Sequence, residues 1–247
     1  VEEAVRLLTR AVELDPGLAR AWVELSHSHG ILTGFGVERD KNRALSAEAA
    51  ERAVQLDPSD AEAHAVYAMF LGDRGEFERA KAEFDTALRL APGQFEVLTF
   101  YIDWASTFGE PERVAQLVDK AVSLNPGFPM WSARIFAHAY FMVGRYEDAL
   151  QMLDRVTPEN YGKHWVMRSG ALAALGRTEE AKVSVKDALR RFPNLTVEGF
   201  VNQPGFNEAE RQRLIETMRL AGLPDCAKAE ELAKIKKPLR LPDCASP

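Results

Sequence analysis

The sequence predicts an all-α chain, a solenoid of helical hairpins closed by a C-terminal capping helix. Three observations predict it: a proline-ended phrase, a glycine-led phrase sharing its period, and helical spacing of the apolar residues between them. The first phrase reads Ala11-Val-Glu-Leu-Asp-Pro16, Ala53-Val-Gln-Leu-Asp-Pro58, Ala87-Leu-Arg-Leu-Ala-Pro92, Ala121-Val-Ser-Leu-Asn-Pro126 and Ala188-Leu-Arg-Arg-Phe-Pro193. Its prolines lie 42, 34, 34 and 67 residues apart, the last interval being close to two units. The second phrase starts at Gly75, Gly109, Gly144 and Gly176, whose spacings are 34, 35 and 32.

Each marker has a mechanical meaning. A glycine ends a first helix, because without a Cβ it enters the left-handed turn at least expense. The acidic residues after it suit the start of a second helix, near the positive end of its dipole. The proline stops that second helix, since it has no N–H to donate and restricts the residue before it. Between the markers Tyr67, Ala68 and Leu71 share one helix face, and Ala80, Phe84 and Ala87 share another. Small residues such as Ala68 and Ala80 let the two helices of a pair approach closely.

In these features the chain resembles the tetratricopeptide repeat family. The unit from Ala61 to Pro92 carries Ala68, Leu71, Ala80, Phe84, Ala87 and Pro92 where the family pattern has them. The unit ending at Pro193 carries Trp165, Leu172, Ala181 and Ala188, and departs from the pattern at Arg168. The unit ending at Pro126 is weaker, with Ile102 and Val114 at small-residue positions. The resemblance implies a right-handed solenoid over residues 1–193, an opening half unit followed by five full ones.

Residues 194–221 are expected to form an irregular connector and then a capping helix. Asn207-Glu-Ala-Glu210 resembles a capping box, and Leu214, Ile215, Met218 and Leu220 form the stripe that covers the last repeat. Residues 222–247 form a tail with a short helix. Two irregularities accompany the array. The interval from Pro16 to Pro58 is eight residues too long, and the excess is assigned to an extended loop over Gly30–Gly36. No strand precedes that glycine-rich stretch and no Lys-Ser/Thr pair closes it, so it does not read as a phosphate loop. Val1 falls where a second helix begins, so the face of Ala4, Leu8 and Ala11 lacks a partner, and a processed or truncated start is expected. The lengthened unit, the Leu-Asp-Pro helix ends and the closing Leu220-Ala-Gly-Leu-Pro224 also resemble the C-terminal segments of bacterial class III adenylate cyclases and of winged-helix transcription regulators. None of the residues of those activities lie in this chain.

Composition narrows the function classes. The 247 residues are 46% hydrophobic and 28% charged with a formal charge of −6, which suits a soluble core-forming chain and argues against nucleic acid as a partner. No apolar run approaches the roughly 20 residues of a membrane span. Cys226 and Cys244 sit in a repeated Leu-Pro-Asp-Cys string, either bonded in an oxidising compartment or free in a mobile tail. A two-cysteine metal site has no histidine nearby. The five histidines read as surface or packing residues, and no nucleophile elbow, Cys-His pair or zinc-binding His-Glu-x-x-His string occurs. No catalytic residue, metal or cofactor is expected.

The family resemblance implies a concave groove lined by the first helix of each pair. In register, that groove takes Val66, Met69, Phe100, Asp103, Trp131, Arg134, Ile135, His138, Phe141, Met142, Lys163 and Met167, while Trp22 and Trp165 fall in the core. Methionine and aromatic side chains suit adaptable peptide contact. Family members that clamp acidic chaperone termini use successive Lys and Asn residues; here only Arg134 and Lys163 are basic, and that clamp is absent. The expected role is a non-catalytic scaffold for a protein or peptide, a module of a larger bacterial signalling or regulatory protein. Homodimerisation is the alternative. The expected location is the bacterial cytoplasm, or the periplasm if a membrane segment lies upstream.

Overall fold

The computed structural model describes residues 1–108, 111–157, 162–203, 206–233, 235 and 237–244. Among them no strand occurs. Gly109 of the second marker, Pro204 and Gly205 of the connector, and Lys234 and Lys236 of the tail lie outside the described residues. The chain divides into two compact units, Val1–Glu110 with Gln116–Pro126, and Pro111–Ala115 with Gly127–Pro247.

The first unit holds α1 (Glu2–Leu14), α2 (Ala19–Gly34), α3 (Arg39–Leu56), α4 (Ala61–Asp73), α5 (Phe77–Leu90), α6 (Phe95–Trp104) with a 3-10 turn Ala105–Phe108, and most of α7 (Pro111–Leu124). Helices α1, α3, α5 and α7 each end on a leucine two residues before the marker proline. Gly75, Gly144 and Gly176 sit at φ between 74° and 79°, the left-handed turn for which the marker glycine was needed. In the pair α4/α5, Ala68, Ala80, Phe84 and Ala87 are fully buried, and Phe84 meets Tyr101 of α6 edge-to-face at 5.6 Å. Trp104 lies over Gly72, where a Cβ would come within 2.5 Å of the indole, so the ring packs on bare backbone.

The long interval from Pro16 to Pro58 does not make a long loop. Helix α2 has 16 residues and α3 has 18, against 13 and 14 in α4 and α5, so the extra length goes into helix. Only Phe35–Glu38 connects them, with Glu38 in the left-handed region at φ 35°. Small residues permit it. Ser26 and Ser46 each donate to the other's backbone carbonyl at 2.9 Å, and Gly30 leaves room beside Ser46. On α1, Val5, Leu8 and Ala11 pack against the buried cluster of Val12, Ala21, Leu25 and Ala49. The uncovered edge of α1 is therefore Ala4, Leu7 and Leu14, the two leucines 54% and 69% exposed, rather than Leu8 and Ala11.

The second unit holds the start of α7, α8 (Met130–Met142), α9 (Tyr146–Leu153), α10 (Gly162–Ala174), α11 (Thr178–Arg191), α12 (Val197–Val201), α13 (Glu208–Ala221) and α14 (Ala229–Leu232), with a final 3-10 turn Pro242–Cys244. The connector carries one short helix: Thr196 accepts from the Gly199 N–H and starts α12. The capping box of α13 forms as expected, Asn207 accepting from the Glu210 N–H and Glu210 from the Asn207 N–H, both at 2.9 Å. Leu214, Thr217, Met218 and Ala221 are its buried face. Leu220, six residues on from Leu214, falls off that face and is 62% exposed.

The C-terminal segment is docked. Cys226 and Cys244 form a disulfide, so the free-thiol alternative does not hold. The two Leu-Pro-Asp-Cys strings meet as a pair: Leu223 and Leu241 are both buried, and Arg219 holds Asp225 and Asp243 at 3.0 Å each. The anchor is Glu198 of α12, which has no exposed surface. Its carboxylate accepts from Arg240 Nε at 2.8 Å and from the backbone N–H groups of Ala227 and Leu241 at 3.0 Å. Asn202, one turn on, both donates to and accepts from the Leu239 backbone.

Candidate partner-binding surface

The twelve residues placed in the groove by register separate on burial. In the first unit Val66 of α4 and Phe100 of α6 are buried, Met69 is half-buried and Asp103 exposed. Phe100 packs edge-to-face on His27 of α2 at 5.1 Å, so a first helix two units earlier reaches the ring where a ligand was expected. A buried carboxylate joins the same helices. Glu62 of α4 accepts from Arg20 of α2 at 2.5 Å and from Gln94, the residue before α6, at 3.1 Å. Burial raises its pKa and Arg20 opposes that rise.

In the second unit Phe141 of α8 and Met167 of α10 are fully buried, and the expectation that they line an open groove is corrected. Helix α13 lies there. A Cβ on Gly170 of α10 would meet Thr217 of α13 at 3.0 Å and Phe141 at 3.3 Å, and Met167 is one turn before Gly170. Arg213 of α13 also donates to the Tyr146 hydroxyl at 3.0 Å. The closing helix therefore packs chiefly on α10 and reaches α8 near Phe141 and, through Glu210, at His138. What stays open on α8 is its beginning: Trp131 is 37% exposed, Arg134 exposed and Ile135 half-buried. Met142 and Lys163 are half-buried, and Lys163 lies 5.2 Å from the Phe206 ring. Trp165 is buried as expected; Trp22 is half-buried, its indole N–H on the Pro16 carbonyl.

The histidines are packing residues. His64 bridges Glu83 and the Pro58 carbonyl, and His29 meets Asn42 at 2.6 Å. His138 Nε2 lies 3.5 Å from Glu210 Oε1, and neither atom has a hydrogen-bond partner. Burial, reinforced by Lys163, holds the His138 imidazole well below the usual range. Burial, reinforced by Arg168, lowers His164 to about 4. Both folded values lie below an unfolded value near 6.5. The unfolded chain thus takes up protons first as pH falls, and the stability tied to these neutral rings is intact above about pH 6.5 and lost towards pH 4. Urea midpoints should decline between pH 7 and 5, and His164→Phe should shrink that decline. A midpoint unchanged over this window would contradict the assignment. Among the described residues, no group of three or more His, Cys, Asp or Glu is placed to hold a metal ion, and no helix is long and apolar enough to cross a membrane.

Residues 39–100 match the family model described as tetratricopeptide repeat. No curated protein matches the chain. Among solved structures, the chain is similar to YrrB, described as a TPR protein with an unusual peptide-binding site. The identity is 18%, with 76% of this chain and 93% of that one covered and a TM-score of 0.50. It is similar to pilF of Pseudomonas aeruginosa at 18% identity, covering 76% and 82%, with a TM-score of 0.56. It also resembles an IFIT1 monomeric mutant solved with Gppp-AAAA, at 13% identity and a TM-score of 0.63, covering 94% of this chain and 57% of that one. At these identities the likeness speaks for the fold. The all-helical hairpin-solenoid fold and the tetratricopeptide-repeat resemblance read from the markers are supported together.

Proposed function

We propose that the chain is a protein-interaction scaffold that binds a peptide or an extended segment of a partner protein on the open face of α8, within a larger bacterial regulatory protein. The observation that carries this reading is the row Trp131, Arg134 and Ile135: a large aromatic held partly in solvent, with a cation and an aliphatic side chain on the same face. Aromatic and arginine side chains are the residue types that dominate binding energy at interfaces. Lys163, at the start of α10, adds charge for an acidic or carboxylate-bearing ligand, whereas Met142 closes the far end of α8 and lies off this surface. YrrB, of similar fold, is described as having a peptide-binding site, which makes a peptide the first ligand to test.

The test compares two tryptophans. Peptides selected from a random library on the wild-type protein are titrated against Trp131→Ala and Trp165→Ala, with thermal stability of both recorded. Trp131→Ala should stay folded and lose roughly 2 kcal/mol or more of binding, some thirtyfold in affinity. Trp165→Ala should lose about 3–5 kcal/mol of stability. Peptides that bind Trp131→Ala as tightly as wild type would sink the α8 assignment.

A further inference from the structure

A cavity of about 510 Å³ opens between α1, α2 and α3 in the first unit, whereas α8 belongs to the second. Its walls are apolar: Val5 and Val12 of α1, Trp22, Leu25 and Leu32 of α2, and Leu45 of α3. The α1 residues that line it, Glu2, Val5, Thr9 and Val12, share one helix face. Ala4, Leu7 and Leu14 lie on another, so the cavity is distinct from the uncovered edge of that helix. Size and lining fit the usual dimensions of a small-molecule site.

One polar group in the wall has a fixed chemistry. Asn42 donates through Nδ2 to the Val37 carbonyl at 2.8 Å, which leaves its Oδ1 as the atom that meets His29 Nδ1 at 2.6 Å. An amide oxygen only accepts, so Nδ1 carries the hydrogen, and the neutral ring presents Nε2 as an acceptor. His29 is almost fully buried and lines the cavity. The one side-chain hydrogen bond His29 makes among the described residues is through Nδ1. Around the mouth stand Glu2, Glu38 and Glu48 against Lys41, a balance that disfavours an anion.

The geometry points to a binding site for a neutral, flat, apolar molecule carrying one hydroxyl donor, a phenol, whose O–H satisfies His29 Nε2 while its ring fills the apolar wall. An apolar molecule of the same shape would bury Nε2 without a partner, so the site discriminates by the missing hydrogen bond.

The test uses p-cresol and toluene, titrated into the whole chain and followed by amide and indole NMR shifts. Saturable shifts are expected on α1–α3 and the Trp22 indole, with p-cresol tighter than toluene by about fivefold, the size of one neutral hydrogen bond. His29→Phe keeps a ring and removes the acceptor, so the two probes should then bind alike. Leu45→Trp fills the cavity from α3 and should abolish the shifts while the amides of α13 stay in place, which provides a readout should His29→Phe fail to fold. The inference is overturned if p-cresol gives no saturable shift on the wild-type protein, if toluene binds as tightly, if His29→Phe keeps the preference, or if folded Leu45→Trp still binds. None of these outcomes bears on Trp131, so the site stands or falls independently of the α8 surface.

Discussion

Glu198→Ala is expected to lower stability by about 3 kcal/mol, because it removes the acceptor on which the C-terminal segment is hung. The carboxylate is fully enclosed and receives one side-chain and two backbone hydrogen bonds, from Arg240, Ala227 and Leu241. Alanine leaves the buried Leu241 N–H and the half-buried Ala227 N–H without this acceptor. Arg240 is partly exposed and recovers water, which keeps the expected loss at the lower end for a broken buried pair. The Cys226–Cys244 bond closes an 18-residue interval and still tethers the segment in the variant. Adding reductant should therefore deepen the loss, since the loop constraint is worth about 3 kcal/mol in the chain-entropy account. Urea denaturation with and without a dithiol measures both effects. A variant within about 0.5 kcal/mol of wild type under oxidising conditions would show that the segment is held by its apolar contacts alone, through Leu223, Leu232 and Leu241.

The sequence was most informative where a residue acts on its own backbone. Gly75, Gly144 and Gly176 had to be left-handed turns, Pro58 and Pro92 had to follow helix ends, and Asn207 with Glu210 had to cap; each needs only a few neighbours to take effect. Small residues were legible at Ala68 and Ala80 but misread at Gly30 and Gly34, where helix persists because Ser26, Ser46 and Gly30 let α2 and α3 lie close over extra turns. What periodicity cannot give is the identity of the neighbour. Phe141 and Met167 are apolar on the inner face of their helices whether that face meets a ligand or another part of the chain. Here α13, which begins more than 40 residues after Met167, supplies the cover. The same reason hid the pairing of the two Leu-Pro-Asp-Cys strings on Arg219. The duplication was visible, but the arginine that joins its aspartates lies outside both copies.

Removing residues 207–247 should have the largest effect of any change considered. Helix α13 buries Leu214 and Met218 completely and Thr217 and Ala221 nearly so, chiefly against α10, and the segment after it buries Leu223, Leu232 and Leu241. Five large apolar side chains at about 1.5–3 kcal/mol each amount to as much as the whole stability of a typical domain. Deletion also takes away every hydrogen-bond partner of the Glu198 carboxylate on α12. It uncovers Phe141 and Gly170 on the opposite side of the contact. The truncated chain is therefore expected to be insoluble, or to melt at least about 10 °C lower than the parent in a thermal scan. Leu214→Lys separates covering from chain length, for it leaves every residue in place and puts one charge into the α10 contact. If α13 is the lid of the last helix pair, both variants fail together. A truncated protein as soluble and as thermally stable as the parent would mean that α8 to α11 close on themselves, and that the burial of Phe141 and Met167 does not depend on α13.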